Sequence, residues 1–561
     1  MKVLIVGGVA GGASTAARLR RNDEKCNIIL FEKGGHISFA NCGLPYYIGD
    51  TITEKEDLIL QTPEKFNKRF NIDVRINSEV VSIDSNSKSI LVENKLTGEM
   101  YVENYDKLVL SPGAKPIVPP LKGIEFDHVF ALRNIPDTYA IKDFINKNHP
   151  KSCAIIGGGF IGMEMAENLY ALGMDISVVE AAPHVMAPID MDTSHDVHNY
   201  IRAKGINLYL NSMCTELTTS SVILQTGSEI SADIVIMCIG VSPDTKFLTN
   251  SSIKLGQRGE IIVDEYMQTS VPDIFALGDA VGVTNIISGK QVVIPLASPA
   301  NKQGRIVADN ICEKEQTYKG SQGTSIMKLF EMTVAVTGEK EESLVKNSIP
   351  YKKIFTYSAS HATYYPHSNM MSIKLLFSPD SGKILGAQIV GYDGVDKRID
   401  TLANAVRFGL TVYDLKEMEL AYAPPFSSAK DPVNMVGYVG SNILEGFMKP
   451  FYIEEIPLIP KDAVILDVRT DEEFNEGSVN NSINIPLDSL RERLAEIDKN
   501  KKIYIICQIG LRGYIAQRIL EQCGYDTLNL SGGYRLYSAA KTDENQEGLF
   551  CQGCLPCGKS S

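Results

Sequence analysis

Two copies of one strand–turn–helix–strand unit constrain this chain more than any other feature. In the first, an apolar strand over 3–6 meets Gly7-Gly8-Val9-Ala10-Gly11-Gly12. A helix is expected over 13–21 and a second strand over 27–31, ending at Glu32. In the second, a strand over 152–156 meets Gly157-Gly158-Gly159-Phe160-Ile161-Gly162. A helix over 163–172 and a strand over 176–179 follow, ending at Glu180. Glu32 follows Gly12 by 20 residues and Glu180 follows Gly162 by 18. That spacing suits a dinucleotide fold: backbone N–H groups of the turn meet a pyrophosphate, and the acid accepts from a ribose hydroxyl. Glu180 would repel a 2′-phosphate, so NADH is expected over NADPH. In the first turn Val9 replaces the middle glycine, and that motif alone is weak. The second holds all of Gly157, Gly159 and Gly162, and the pair with both acids is far more specific than either copy.

The chain has 561 residues, room for about three or four domains. Apolar residues make up 44% and charged residues 22%, as in ordinary globular chains. A net charge of −13 argues against a dedicated nucleic-acid surface but leaves a local basic pocket open. Met1-Lys2 runs straight into the first strand with no signal-peptide pattern, and no apolar run reaches the ~18 residues of a membrane span. Eleven cysteines, an odd and scattered set, suit free thiols in a reducing cytoplasm better than a disulfide framework.

Two cysteines stand in informative surroundings. Cys42, in Asn41-Cys42-Gly43-Leu44-Pro45-Tyr46-Tyr47, has no Cys-x-x-x-x-Cys partner; the next cysteine is Cys153. A single working thiol must pair with a small-molecule sulfur or be oxidised to a sulfenic acid. Nucleophilic work requires the thiolate, so a lowered Cys42 pKa is expected. Cys507 ends an apolar strand over 503–506 and opens Gln508-Ile509-Gly510-Leu511-Arg512-Gly513. Successive N–H groups there can nest an anion, with Arg512 adding positive charge; a buried structural thiol is the alternative.

Taken together these residues resemble the two-dinucleotide flavoprotein disulfide reductases, over about 1–445. The implied architecture is α/β. It comprises two Rossmann-like domains, binding FAD (1–117 and 248–321) and NAD (118–247), and an α+β dimerisation domain over 322–445. Gly278-Asp279 resembles the second FAD motif, and Leu110-Ser111-Pro112-Gly113 the crossing between the domains. The implied cofactor contacts are Gly7, Gly8, Ala10, Gly11, Gly12, Glu32, Lys33, Asn41, Ser111, Gly113, Gly278 and Asp279 for FAD, and Gly157, Gly159, Gly162 and Glu180 for NADH. Within the family, the first turn and the Cys42 segment look like the coenzyme A disulfide reductase and persulfide reductase branch. The oxidase and peroxidase branch typically carries a His where Val9-Ala10 stand. The resemblance implies a homodimer in which Tyr422 and Tyr364 (or adjacent Tyr365) reach the partner's Cys42. It also implies a coenzyme A channel lined by Ser14, Arg18, Arg21, Ser38, Asn41, Asn301 and Lys430. For Arg18 and Arg21 a solvated helix face, and for the tyrosines interface packing, are the alternatives.

After a linker over 446–457, residues 458–540 resemble a rhodanese domain. Asp467-Val468-Arg469, Asn484-Ile485-Pro486 and Ser531-Gly532-Gly533 carry that resemblance, and Ser478 stands where the family often has His. The polar tail over 541–561 holds Cys551, Cys554 and Cys557, readable as a redox relay, part of a metal site or a disordered tail. No metal is expected. The reading is NADH- and FAD-dependent reduction of coenzyme A disulfide, persulfide or polysulfide at Cys42, with Cys507 and Arg512 handling sulfane sulfur. An NADH oxidase or peroxidase acting through a Cys42 sulfenic acid, and a redox-sensing sulfur carrier, are the rivals.

Overall fold

The computed structural model describes residues 1–551, with side chains through Asn545; Cys554, Cys557 and the Cys551 side chain lie outside them. The chain divides into two compact units. One comprises Met1–Ala181 with Ser212–Gly323, the other Ala182–Asn211 with the chain from Thr324 onward.

The first unit contains two parallel sheets. In one, strands Ile274–Ala276, Lys107–Leu110, Lys2–Val6, Asn27–Phe31 and Asp73–Arg75 lie in that order. In the other, Asp175–Val179, Ser152–Ile156, Ile234–Met237 and Val129–Ala131 are neighbours in that order. Val3, Leu4 and Ile5 are wholly buried, which is why the strand reads as an unbroken apolar run rather than an alternation. Both glycine turns lead into helices, Ala10–Asn22 and Phe160–Ala171. These begin three residues earlier than the sequence reading placed them, inside the motif. A Cβ on Gly12 would lie 1.9 Å from the Gly7 carbonyl oxygen, and one on Gly162 2.0 Å from that of Gly157. Only glycine lets each helix start so close to its own strand.

The second unit holds an antiparallel sheet in the order Ser325–Leu329, Met332–Gly338, Ile384–Gly391, Met370–Phe377, Lys352–Ala359. Helix Val395–Phe408 packs on it. A parallel sheet follows, ordered Pro450–Phe451, Thr527–Leu530, Ile503–Ile506, Val464–Asp467, Ser482–Asn484. Its edge strand Pro450–Phe451 comes from the stretch expected as a linker.

The last helix, Gly533–Cys551, runs well into the segment read as a polar tail. Its anchor is Asp543, wholly buried. The carboxylate meets His195 Nδ1 at 2.6 Å and His198 Nδ1 at 2.8 Å, and is paired with Arg202. His198 Nε2 accepts from the Val185 N–H at 3.2 Å, so the His198 proton is on Nδ1 and points at Asp543. The three ligand-type atoms are close enough to hold a cation. That tautomer and the Arg202 guanidinium make them an ion-paired latch for the helix instead.

Candidate active site

Each glutamate that ends a second strand turns back onto its own glycine loop. Glu32 accepts from the Gly8 N–H at 2.9 Å and the Gly34 N–H at 2.8 Å. Glu180 accepts from the Gly158 N–H at 2.7 Å. Gly7 has φ +97°, and its absent Cβ would meet the Ser111 carbonyl oxygen at 2.0 Å. A Cβ on Gly159, by contrast, would enter open space, the place where a loop can be approached by a phosphate. A cavity of about 520 Å³ opens beside Gly7, Glu32, Lys33, Val80, Pro112 and Lys115, room for the nucleoside end of a dinucleotide. Lys33 is ion-paired with Asp244 at its rim. Gly113 and Gly278 both have positive φ, and the Gly278 N–H donates to buried Gln303. Asp279 pairs with Arg133 at 3.1 Å. These groups fit a flavin dinucleotide in the first sheet and a nicotinamide dinucleotide in the second.

Cys42 lies in the short helical turn Asn41–Gly43, just before the helix Leu44–Ile48, which packs against Phe160–Ala171. The thiol is open to solvent on one side and closely surrounded on the other. The protein groups alone raise its pKa: burial acts first, then the Glu164 carboxylate, then Asp279, with Arg133 opposing. Glu164 itself is pushed up to about 7 by burial and by Glu167 one turn on. Tyr46 is pushed up to about 12, by burial first and then by Glu164 and Glu167. Of these groups only Arg133 favours the thiolate.

The residues read as a coenzyme A channel are only partly free to serve it. Arg18 is held by Asp309 through two bonds, at 2.9 and 3.1 Å. Ser14 donates to Asn301. Arg21 is exposed and has no ion pair among the described residues, as has Lys430. Ser38 takes φ +45° and its N–H donates to the Gly8 carbonyl, tying the Cys42 segment to the first glycine turn. Asn41 is half-buried beside Cys42.

Tyr364 and Tyr422 are brought together, and Arg398 is the reason. Its buried guanidinium donates to the Ser360 carbonyl, Ser427 Oγ and Asp431 Oδ2, each at 3.0 Å, clamping the two tyrosine-bearing loops. Tyr365 turns instead to the ring of His361.

Cys507 is 0% exposed, at the end of strand Ile503–Ile506 and just before helix Leu511–Gln522. Its sulfur accepts from the Gly510 N–H at 3.0 Å. Burial raises the thiol; backbone N–H groups of Gly513, Ile509 and Gly510, and then Arg512, pull it down. A Cβ on Gly533, at φ +64°, would lie 2.5 Å from the Cys507 carbonyl oxygen, and that close turn lets the Tyr534 N–H reach the same oxygen at 2.8 Å. Arg512 is itself bound at both ends by Glu473. Glu164, Arg133, Arg398 and Glu473 were missed by sequence reasoning. Only Glu164, two residues past the last glycine of a motif, stood where a pattern could have flagged it.

Residues 1–304 match the pyridine nucleotide-disulphide oxidoreductase family, 324–432 the dimerisation domain of that family, and 457–540 the rhodanese-like domain. The coenzyme A disulfide reductase of Staphylococcus haemolyticus is 36% identical over 438 residues, 78% of this chain and 98% of its own. The crystal structure of reduced CoADR-RHD from Bacillus anthracis superposes with a TM-score of 0.95 at 48% identity, covering 97% of this chain and 98% of that one. A NAD-dependent persulfide reductase from A. fulgidus gives 0.90 at 35% identity, covering 96% and 100%.

Proposed function

The chain belongs to the pyridine nucleotide-disulphide oxidoreductases and carries a rhodanese-like domain, and from that premise we propose that it reduces coenzyme A disulfide or persulfide at Cys42 while Cys507 handles sulfane sulfur. It is an enzyme using FAD and NAD(H). Bound, these cofactors supply the electron pair that reduces a disulfide sulfur held beside them. The observation that carries the reading is the solitary Cys42, exposed and unpaired, in a chain whose other end presents a second thiol inside a ring of N–H donors.

The protein's own part is to place and charge the sulfurs. Glu32 and Glu180 shape the two loops that would hold the dinucleotides, and Asp279 with Arg133 closes the first site. The Cys42 thiolate attacks the disulfide or persulfide sulfur, forming Cys42–S–S–CoA and releasing the other sulfur as thiol or sulfide. Glu164, with its midpoint near 7, holds or releases a proton beside that sulfur. In the rhodanese domain the Cys507 thiolate takes a sulfane sulfur, and the loop N–H groups stabilise the resulting persulfide anion.

The dimerisation domain supports a homodimer, in which Tyr364, Tyr422 and Lys430 complete the partner's Cys42 site. The described cysteines are free thiols, which suits the cytoplasm. Among the described residues no helix is long and apolar enough to cross a membrane. Cys42→Ser tests the core of the reading. It abolishes disulfide and persulfide reduction yet keeps the flavin absorbance, because the glycine loops hold FAD without the thiol; near-normal turnover would remove Cys42 from the mechanism.

A further inference from the structure

Two guanidinium groups lie beside the Cys507 loop, and each is matched by a carboxylate. Arg512 Nη1 and Nη2 both donate to Glu473, at 2.7 Å each. Arg469, 1% exposed, donates to Asp467 Oδ2 at 2.7 Å and to the carbonyls of Gly477 and Glu473 at 2.6 and 3.1 Å. Glu473 stands in the first turn of helix Asp471–Glu476 together with exposed Asp471 and Glu472. The cation that acts on Cys507 is therefore already paired, and the helix turn that supplies its carboxylate carries two further exposed acids. The loop itself offers N–H donors to one sulfur anion.

We infer that Glu473 determines which sulfur donor reaches Cys507: by neutralising Arg512 it excludes inorganic dianions such as thiosulfate and admits organic persulfides. This rests on the reading of Cys507 as the sulfur-accepting thiol. With thiosulfate, the Cys507 thiolate attacks the outer sulfur, the S–S bond of thiosulfate breaks, and sulfite leaves with the electron pair. With a persulfide R–S–SH the same attack gives Cys507–S–SH and R–S⁻. Neither step needs an oxidant or reductant. They differ in charge: thiosulfate brings two negative charges to a cation already paired with Glu473, a persulfide with no other net charge only one.

Glu473→Gln separates this role from a structural one. Glu473 Oε2 also accepts from the Thr470 N–H at 3.0 Å, and Thr470 Oγ1 accepts from the Glu473 N–H at 3.3 Å. Glutamine keeps that reciprocal helix cap through its amide oxygen; it removes the charge and, because its NH2 cannot accept, the second bond to Arg512.

The test uses the full-length protein with cyanide as acceptor, and thiosulfate or cysteamine persulfide, which has no net charge, as donor, reading thiocyanate. In Glu473→Gln, kcat/KM for thiosulfate rises about tenfold, the equivalent of about 1.4 kcal/mol, while that for cysteamine persulfide stays within about twofold. Adding Arg512→Gln abolishes the gain. An unchanged or lower thiosulfate rate in a folded Glu473→Gln protein overturns the inference, provided Cys507→Ser eliminates transfer from both donors. If Cys507→Ser leaves transfer intact, it is the reading of Cys507 that fails. Should Glu473→Gln not fold, the unmodified protein still decides: added salt screens Glu473 and must raise the ratio of the thiosulfate rate to the cysteamine persulfide rate, and a salt-independent ratio overturns the inference.

Discussion

The phenol oxygens of Tyr364 and Tyr422 lie 2.7 Å apart, although 58 residues separate them in the chain. Both side chains face outward, 75% and 47% exposed. A hydrogen-bonded phenol pair at a surface is placed to donate a proton to something that arrives there. If that is the partner's Cys42 site, defects complement between subunits. Mixing Cys42→Ser subunits with Tyr422→Phe subunits gives heterodimers in which one site carries both defects and the other neither. Activity then rises above that of either parent, provided subunits exchange and each substitution is damaging alone. Heterodimers showing only the average of the parents would assign Tyr422 to its own subunit or to no site.

Glu180 bonds the Gly158 N–H at the second glycine loop and would present its charge to the ribose. Glu180→Ala raises the NADPH-to-NADH ratio of kcat/KM by about tenfold, chiefly by removing repulsion of the 2′-phosphate. Steady-state kinetics with both nucleotides check this. A parent enzyme that prefers NADPH contradicts the assignment.

Glu164→Gln shifts the titration of Cys42 to lower pH. The charged carboxylate disfavours the neighbouring thiolate, so removing it lowers the thiol pKa, which burial and then Glu164 hold up. Because Glu164 titrates near 7, the difference between the two proteins grows above that pH and shrinks below it. Iodoacetamide labelling of Cys42 in the NADH-reduced holoenzyme, followed by peptide mass against pH, measures the shift. Identical profiles would show that Glu164 does not act on the thiol.

What was legible in the sequence is what local chemistry dictates. Gly12 and Gly162 announce their turns because any Cβ would strike the chain a few residues back. Glu32 and Glu180 could be located by spacing alone. Arg398 and Arg133 could not, since their partners Asp431 and Asp279 are brought to them only by tertiary folding. The final helix was hidden for a similar reason. Its polar sequence gives little apolar pattern, and one buried carboxylate, Asp543, ties it to His195, His198 and Arg202. The balance of groups around Cys42 was hidden as well: burial and the Glu164 and Asp279 carboxylates, brought there by tertiary folding, raise the thiol, so the lowering expected of it is left to the flavin site.

Anaerobic turnover with NADH and coenzyme A persulfide reads the chemistry at Cys42 itself. One sulfide is released for each NADH oxidised, and both are lost in Cys42→Ser while the flavin stays bound. NADH oxidation without release of sulfide or thiol, or sulfide release that survives Cys42→Ser, would contradict that chemistry.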